Sequence, residues 1–249
     1  MNRHFACSDL HGMWQLWEQI DAYCDETDTI FFLGDAADRG PNGLKLMKTL
    51  LIDKRVKYIK GNHEDMLVNA FYESDFSLVR SNGGNSTIKD FQKLSEENKE
   101  WLISKLDNLP KELDYTNTNG IHIIMNHSGY DATNPLIEWR TNPLIEWRKE
   151  DPYIWDRRQI GYPWKGDDNT LIVHGHTPIP HLIQRLNEVA FISNQFYDMP
   201  QKVEDVNIVK YCNGHKIDID LGSFATGRSA LLDLDTLEVK YFVTEVKGQ

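Results

Sequence analysis

The chain has 249 residues and a mass of 28.9 kDa, enough to bury roughly 70–75% of its extended surface without a disulfide frame or a structural metal. Apolar residues make up 40% and charged residues 26%, with only 16 Gly and 9 Pro, which excludes a disordered, collagenous or disulfide-framed chain. A net charge of −11 with no Lys/Arg-rich block argues against nucleic acid or an anionic membrane as partner. Phosphate is accommodated by so acidic a chain only where local arginines or bound cations reverse the potential inside one cleft.

Cys7, Cys24 and Cys212 are too few and too scattered for a disulfide scaffold or a Cys-rich zinc site, which suits a reducing compartment. The chemistry-bearing residues begin at Asp9, leaving no room for an apolar leader, and no stretch approaches the ~20 apolar residues of a membrane span. The expectation is a cytoplasmic protein of undetermined oligomeric state.

In chain order, β-rich runs at 3–8, 28–33 and 55–60 alternate with helix-period segments at 13–24, 42–53 and 64–74, the pattern of parallel strands with helical crossovers. Pro41 suits the first turn of the second helix, and Ser95 with Glu96 and Glu97 marks a helix start for 95–107. Strand candidates at 120–126, 170–174, 188–193, 205–211, 216–221, 228–233 and 237–244, with turn signals such as Asn213-Gly214, read as hairpins of a second, mostly antiparallel or mixed sheet. The fold class is therefore α/β: a sandwich of two packed mixed sheets flanked by helices. No Ser/Gly linker divides it, so residues 1–249 are read as a single domain. Residues 133–140 and 141–148 repeat the same eight residues. A tandem duplication in a tolerant surface loop is the simpler account; the alternative is an aromatic, cationic rim made by its two Trp and two Arg.

Five polar clusters follow predicted strands: Ser8-Asp9-Leu10-His11-Gly12, residues 34–40 with Asp35, Asp38 and Arg39, Gly61-Asn62-His63-Glu64-Asp65, Asn126-His127-Ser128-Gly129 and His174-Gly175-His176-Thr177. Loops leaving the carboxyl ends of strands in an open α/β sheet gather at one crevice. The clusters supply carboxylate, amide oxygen and imidazole without thiolate, the donor mixture of hard-to-borderline divalent cations. Asp9 and His11 are two apart, so on extended backbone they would face the same side. Taken singly, each cluster has a plain structural account: a turn with a satisfied histidine, a surface ion pair, a helix start with Asn62 as cap and Glu64 in the first turn. Their order after successive strands makes coincidence a poor explanation.

The series Asp9-x-His11-Gly12, Gly34-Asp35-x-x-Asp38-Arg39-Gly40, Gly61-Asn62-His63-Glu64, His127 and Gly175-His176 resembles the phosphoprotein phosphatase family of metallophosphoesterases, especially its short bacterial and phage members. The resemblance implies a calcineurin-like sandwich holding two divalent metal ions, manganese foremost with iron or zinc as alternatives. It implies that Asp9, His11 and Asp35 hold one ion and Asp35, Asn62, His127 and His176 the other. It further implies that His63 is the general acid oriented by Asp38, and that Arg39 and Arg157 bind phosphate, with Arg158 as a one-residue slip in register. The implied reaction is hydrolysis of phosphoserine or phosphothreonine in a protein or peptide by direct attack of a metal-bound hydroxide.

Diadenosine tetraphosphate hydrolysis on the same scaffold is the nearest rival, with Glu64 leaning toward phosphoprotein. A noncatalytic phosphoprotein- or metal-binding module is the rival from another class, though it would have no need to keep His63 and Asp38. Ser8 and Ser128 depart from the usual Gly and Ala, and Asp220-Leu221-Gly222-Ser223-Phe224 stands where eukaryotic members have Ser-Ala-Pro-Asn-Tyr. His174 fits strand packing or a supporting contact better than ligation. A Cys-x5-Arg loop fails, since Met13, Ile30 and Asp218 stand six beyond the cysteines, and a nucleotide phosphate loop fails at Asp167. Asp218-Ile219-Asp220 is read as alternating residues of a hairpin strand, and Asn82-Gly83-Gly84 as a turn, although the resemblance to short bacterial members implies a Gly pair bordering the cleft.

Overall fold

A computed structural model describes residues 2–132, 151–157, 160, 163–186, 196–197 and 206–246. The duplicated segment 133–148, the strand expected at 188–193 and Arg158 lie outside the described residues.

The first half runs β1 (His4–Cys7), α1 (Trp14–Tyr23), β2 (Thr29–Phe32), α2 (Gly43–Ile52), β3 (Val56–Tyr58) and α3 (Asn62–Glu73). Three helices and two strands follow: α4 (Ser77–Ser81), α5 (Asn85–Gln92), α6 (Glu96–Asp107), β4 (Glu112–Thr116) and β5 (His122–Asn126). The remainder comprises α7 (Pro152–Trp155), β6 (Thr170–His174), α8 (Ile179–Leu186), β7 (Phe196–Tyr197), β8 (Val209–Tyr211), β9 (Lys216–Asp218), α9 (Ser223–Thr226), β10 (Arg228–Asp233) and β11 (Val239–Val243). Ser95 caps α6 by accepting from the Asn98 amide, as its sequence position predicts. Pro41 instead lies just before the α2 cap, Asn42.

Two mixed sheets form, ordered β11-β10-β1-β2-β3 and β4-β5-β6-β9-β8-β7. Strands β1, β2 and β3 pair in parallel, as do β5, β6 and β9. The expectation that the second half builds only the second sheet is corrected here. Strand β10 returns to pair antiparallel with β1, and β11 continues that sheet outward. Burial explains the return: β1 is buried along most of its length and needs a partner on each edge, β2 on one side and β10 on the other.

Period-two alternation divides the core. Phe5, Cys7, Ile30 and Phe32 face the helices with Leu16, Trp17, Leu46 and Leu102. Ala6, Phe31 and Leu33 face the second sheet, meeting Ile123, Met125, Leu171, Val173 and Ile217. On the outer face of that sheet, Val209 and Tyr211 pack with Ile179 and Leu182 of α8. The cysteines are free and buried. Among the described residues no helix is long and apolar enough to cross a membrane.

Candidate active site

All five polar clusters meet at the carboxyl ends of β1, β2, β3, β5 and β6. Asp9 and His11 do come together, but not by strand pleating. Both lie beyond β1 in the left-handed region, at φ 51° and 45°, and so do Asp35, Asp38, Arg39 and His176, at 60°, 67°, 61° and 70°. Such backbone persists only where the surroundings over-determine it. Here they do: the Asp9, His11 and Gly12 amides donate to the carbonyls of Gly34, Asp35 and Ala36, and the Gly40 amide donates to His11 O. A Cβ on Gly175 would collide with Asp9 Oδ2, so only glycine lets that turn close onto the carboxylate.

Asp35 sits centrally. Its Oδ1 is 3.4 Å from His127 Nε2, and its Oδ2 is 3.8 Å from both His11 Nε2 and His63 Nε2. Asn62 Oδ1 lies 3.1 Å from His127 Nε2 and 2.8 Å from His176 Nδ1. Two three-residue donor groups result, His11–Asp35–His63 and Asp35–His127–His176.

Backbone carbonyls fix which ring nitrogen is open on each imidazole. His11 Nδ1 donates to Ala37 O and His127 Nδ1 to Leu33 O, so Nε2 faces the cleft in both. His176 Nε2 lies 3.3 Å from Trp155 O, leaving Nδ1 toward Asn62. His174 belongs to neither donor group: its Nδ1 lies 3.0 Å from Gly175 O and its Nε2 2.7 Å from Tyr211 OH, so it packs beside the site.

The electrostatics also call for positive charge. Burial pushes the Asp9 carboxyl well up, with Asp220 and Asp35 adding repulsion, and Asp9 Oδ1 is buried without a hydrogen-bond partner. Burial pushes Asp35 upward too, but His127, His63 and His11 outweigh it and hold it well below the usual carboxylate range. Burial lowers His127, yet Asp35 and Asp9 outweigh it and raise the ring to about 9. Converging oxygens and ring lone pairs, one acid oxygen left unpaired and a proton drawn onto His127 are what a cation would relieve. The donor set fits divalent metal.

Beside this cluster, His63 Nδ1 is 2.7 Å from Asp38 Oδ2. The guanidinium of Arg39 spans two of the ring nitrogens at the cleft, 2.7 Å from His11 Nε2 and 3.2 Å from His63 Nε2. Arg157 reaches the same crevice from α7's far end, where Nη1 donates to His176 O at 2.9 Å.

One residue does more than its sequence position suggests. Glu64 is fully buried, and its two oxygens accept from the amides of Gly61, Asp35 and Ala36 and from Tyr58 OH, all at 2.8–2.9 Å. It ties the β2 and β3 loops together. Gly61, not Asn62, is the α3 cap, and the Gly61-x-x-Glu64 spacing of a capping box was the available signal. Ser223 is a second residue of this kind, its hydroxyl donating to Asp9 O. Asp218 ends β9, the second strand of an antiparallel hairpin with β8, and Asp220 follows two residues beyond; both are buried, and burial lifts Asp220 to about 6.

The calcineurin-like phosphoesterase family model matches residues 3–217. The chain belongs to that family. It is 30% identical over 139 residues to serine/threonine-protein phosphatase 2 of Escherichia coli strain K12, covering 54% of this chain and 62% of that protein. It is likewise 30% identical over 163 residues to an asymmetrical bis(5'-nucleosyl)-tetraphosphatase of Oceanobacillus iheyensis, covering 60% of this chain and 62% of that one. The chain thus matches under two thirds of the length of these relatives. The crystal structure of a metallophosphoesterase from Sphaerobacter thermophilus shares the fold, with TM-score 0.59 and 18% identity over 98% of this chain and 88% of that one.

Proposed function

We propose that the chain is a phosphomonoesterase that hydrolyses phosphoserine or phosphothreonine and depends on two divalent cations. Asp9, His11 and Asp35 would hold one, and Asp35, Asn62, His127 and His176 the other, with manganese the ion to supply in an assay. Bound there, such cations neutralise phosphate charge and provide an activated water at neutral pH.

The observation that carries the reading is the 2.7 Å pair of His63 and Asp38 beside the donor cluster. Binding alone has no use for a leaving-group acid; hydrolysis of an alkyl ester does. Asp38 orients the His63 ring through Nδ1, leaving Nε2 to deliver a proton to the departing serine or threonine oxygen. Arg39 lies beside that nitrogen, where a forked guanidinium pairs with two phosphate oxygens. Arg157 supplies a second guanidinium from the opposite wall.

The second reading, cleavage of a dinucleoside tetraphosphate, is favoured by the Oceanobacillus relative at equal identity. Glu64 does not decide between them, because its oxygens are spent on Tyr58 and three backbone amides, out of reach of any substrate. A side-by-side assay with Mn²⁺ decides, using a phosphothreonine peptide, p-nitrophenyl phosphate and diadenosine tetraphosphate. The reading expects the highest kcat/KM on the phosphopeptide. Preference for the dinucleotide would replace it with the second reading, and phosphopeptide binding without turnover of any of the three would make the chain a binding module.

A further inference from the structure

Residues 151–157 form a strap beside the cleft that runs from Ser128 to His176, and it contains one short helical turn, α7, capped by Asp151. At its start, Ser128 holds it by an amide donating to Tyr153 O at 3.1 Å and a hydroxyl donating to Pro152 O at 2.6 Å. At its end, Arg157 meets the His176 carbonyl. Between these points Trp155 joins three parts of the site. Its ring packs beside Met66, Ala70, Val79 and Ile88, and its carbonyl faces His176 Nε2. Its indole Nε1 donates to Asp65 Oδ2 at 3.2 Å, an oxygen that also accepts from Asn69.

Asp65 stands in the first turn of α3, directly after Asn62-His63-Glu64. The bond therefore fastens the strap bearing Arg157 to the helix bearing Asn62 and His63. We propose that the Trp155–Asp65 hydrogen bond is a positioning latch: it fixes Arg157 over the His176 side of the cleft and so sets affinity for the phosphate group, leaving the chemical step untouched. This rests on reading Arg157 as a phosphate ligand. Neither Trp155 nor Asp65 touches substrate in this account; both act through the strap.

The test compares Trp155→Phe, Asp65→Ala, the Phe/Ala double variant, Asp65→Asn and Arg157→Ala, with Mn²⁺ present. The readouts are kcat and KM on p-nitrophenyl phosphate and the inhibition constant of inorganic phosphate. Trp155→Phe and Asp65→Ala should each raise KM and the phosphate constant about fivefold with kcat held within about twofold, the split expected when binding rather than chemistry is lost. The double variant should be no worse than either single, since one bond is removed once. Asp65→Asn keeps an acceptor oxygen and should stay near wild type. A purely structural role would lower Tm and leave KM and the phosphate constant unchanged, which overturns the latch, as would multiplicative losses in the double variant. Should Arg157→Ala weaken phosphate while Trp155→Phe does not, the latch fails and Arg157 stands; should Arg157→Ala change nothing, the Arg157 reading itself has failed. If Trp155→Phe folds poorly, the partly exposed Asp65→Ala carries the same comparison.

Discussion

The two walls of the cleft are built differently. The wall formed by the loops after β1, β2 and β3 is laced by backbone bonds and by Glu64, whose four acceptor contacts join the last two. The wall formed by residues 126–129, 174–177 and the strap has backbone bonds too, from the Ser128 and Gly175 amides to Tyr153 O and His127 O, but its strap is held mainly by the side chains of Ser128, Trp155 and Arg157. One wall carries Asp9, His11, Asp35, Asn62 and the His63–Asp38 pair, where displacement by a fraction of an ångström is costly to chemistry. The other carries His127 and His176 of the donor cluster, and its strap bears the second guanidinium, where affinity can be adjusted without disturbing the acid. Only the strap stands apart from the donor cluster, so it is the part that can alter what is bound while keeping how the site reacts.

The largest expected effect lies on the laced wall. His63→Asn should lower kcat about 10²–10⁴-fold with little change in KM or bound metal. Unchanged turnover would remove His63 from the acid role. Glu64→Ala comes next: with three buried amides and the Tyr58 hydroxyl left without an acceptor, the loss should be about 3 kcal/mol or more in urea unfolding. A loss near zero would show that the loops hold without it.

A pair remote from the cleft serves as the control. Asp28 accepts from the Arg3 guanidinium at 2.5 Å and from the Arg3 and Asp25 amides. Burial pushes this carboxyl up, but the Arg3 and backbone bonds outweigh it and hold it below the usual range. A depressed folded value means that its stabilisation is complete above the unfolded pKa of about 3.9 and fades as pH falls through the folded value. Asp28→Asn should therefore cost about 2 kcal/mol near neutrality, a gap that narrows below about pH 4, with KM and kcat unchanged. A gap that stayed constant into acid would refute the charge-based account.

The smallest effect belongs to the side-chain-hung wall. Ser128→Ala removes the hydroxyl that grips Pro152 O, and should cost about 1 kcal/mol while raising KM about twofold. A fall in kcat instead would show that the strap acts on the chemistry.

Much of this arrangement was legible from residue order. Alternating strand and helix periods in the first 75 residues placed β1 to β3 and their crossovers, and five polar clusters after apolar runs pointed to one crevice. Three things were not. The return of β10 to the first sheet is a long-range pairing that local pattern does not encode. The 112–116 strand alternates half-buried and exposed residues, with Glu112 and Asp114 weakening its apolar signal. The loop conformations at Asp9, His11 and Asp35 were hidden because a left-handed aspartate or histidine looks in sequence like any other, and only tertiary bonding selects it. Glu64 shows the same limit: its spacing announced a helix cap, while its contacts to Asp35 and Ala36 arise from β2.

The most direct measurement is the manganese content per chain of the wild type and of Asp35→Ala, by elemental analysis after equilibration and gel filtration. A shared carboxylate predicts two ions in the wild type and loss of both in the variant. One ion in the wild type, or two retained without Asp35, would contradict it.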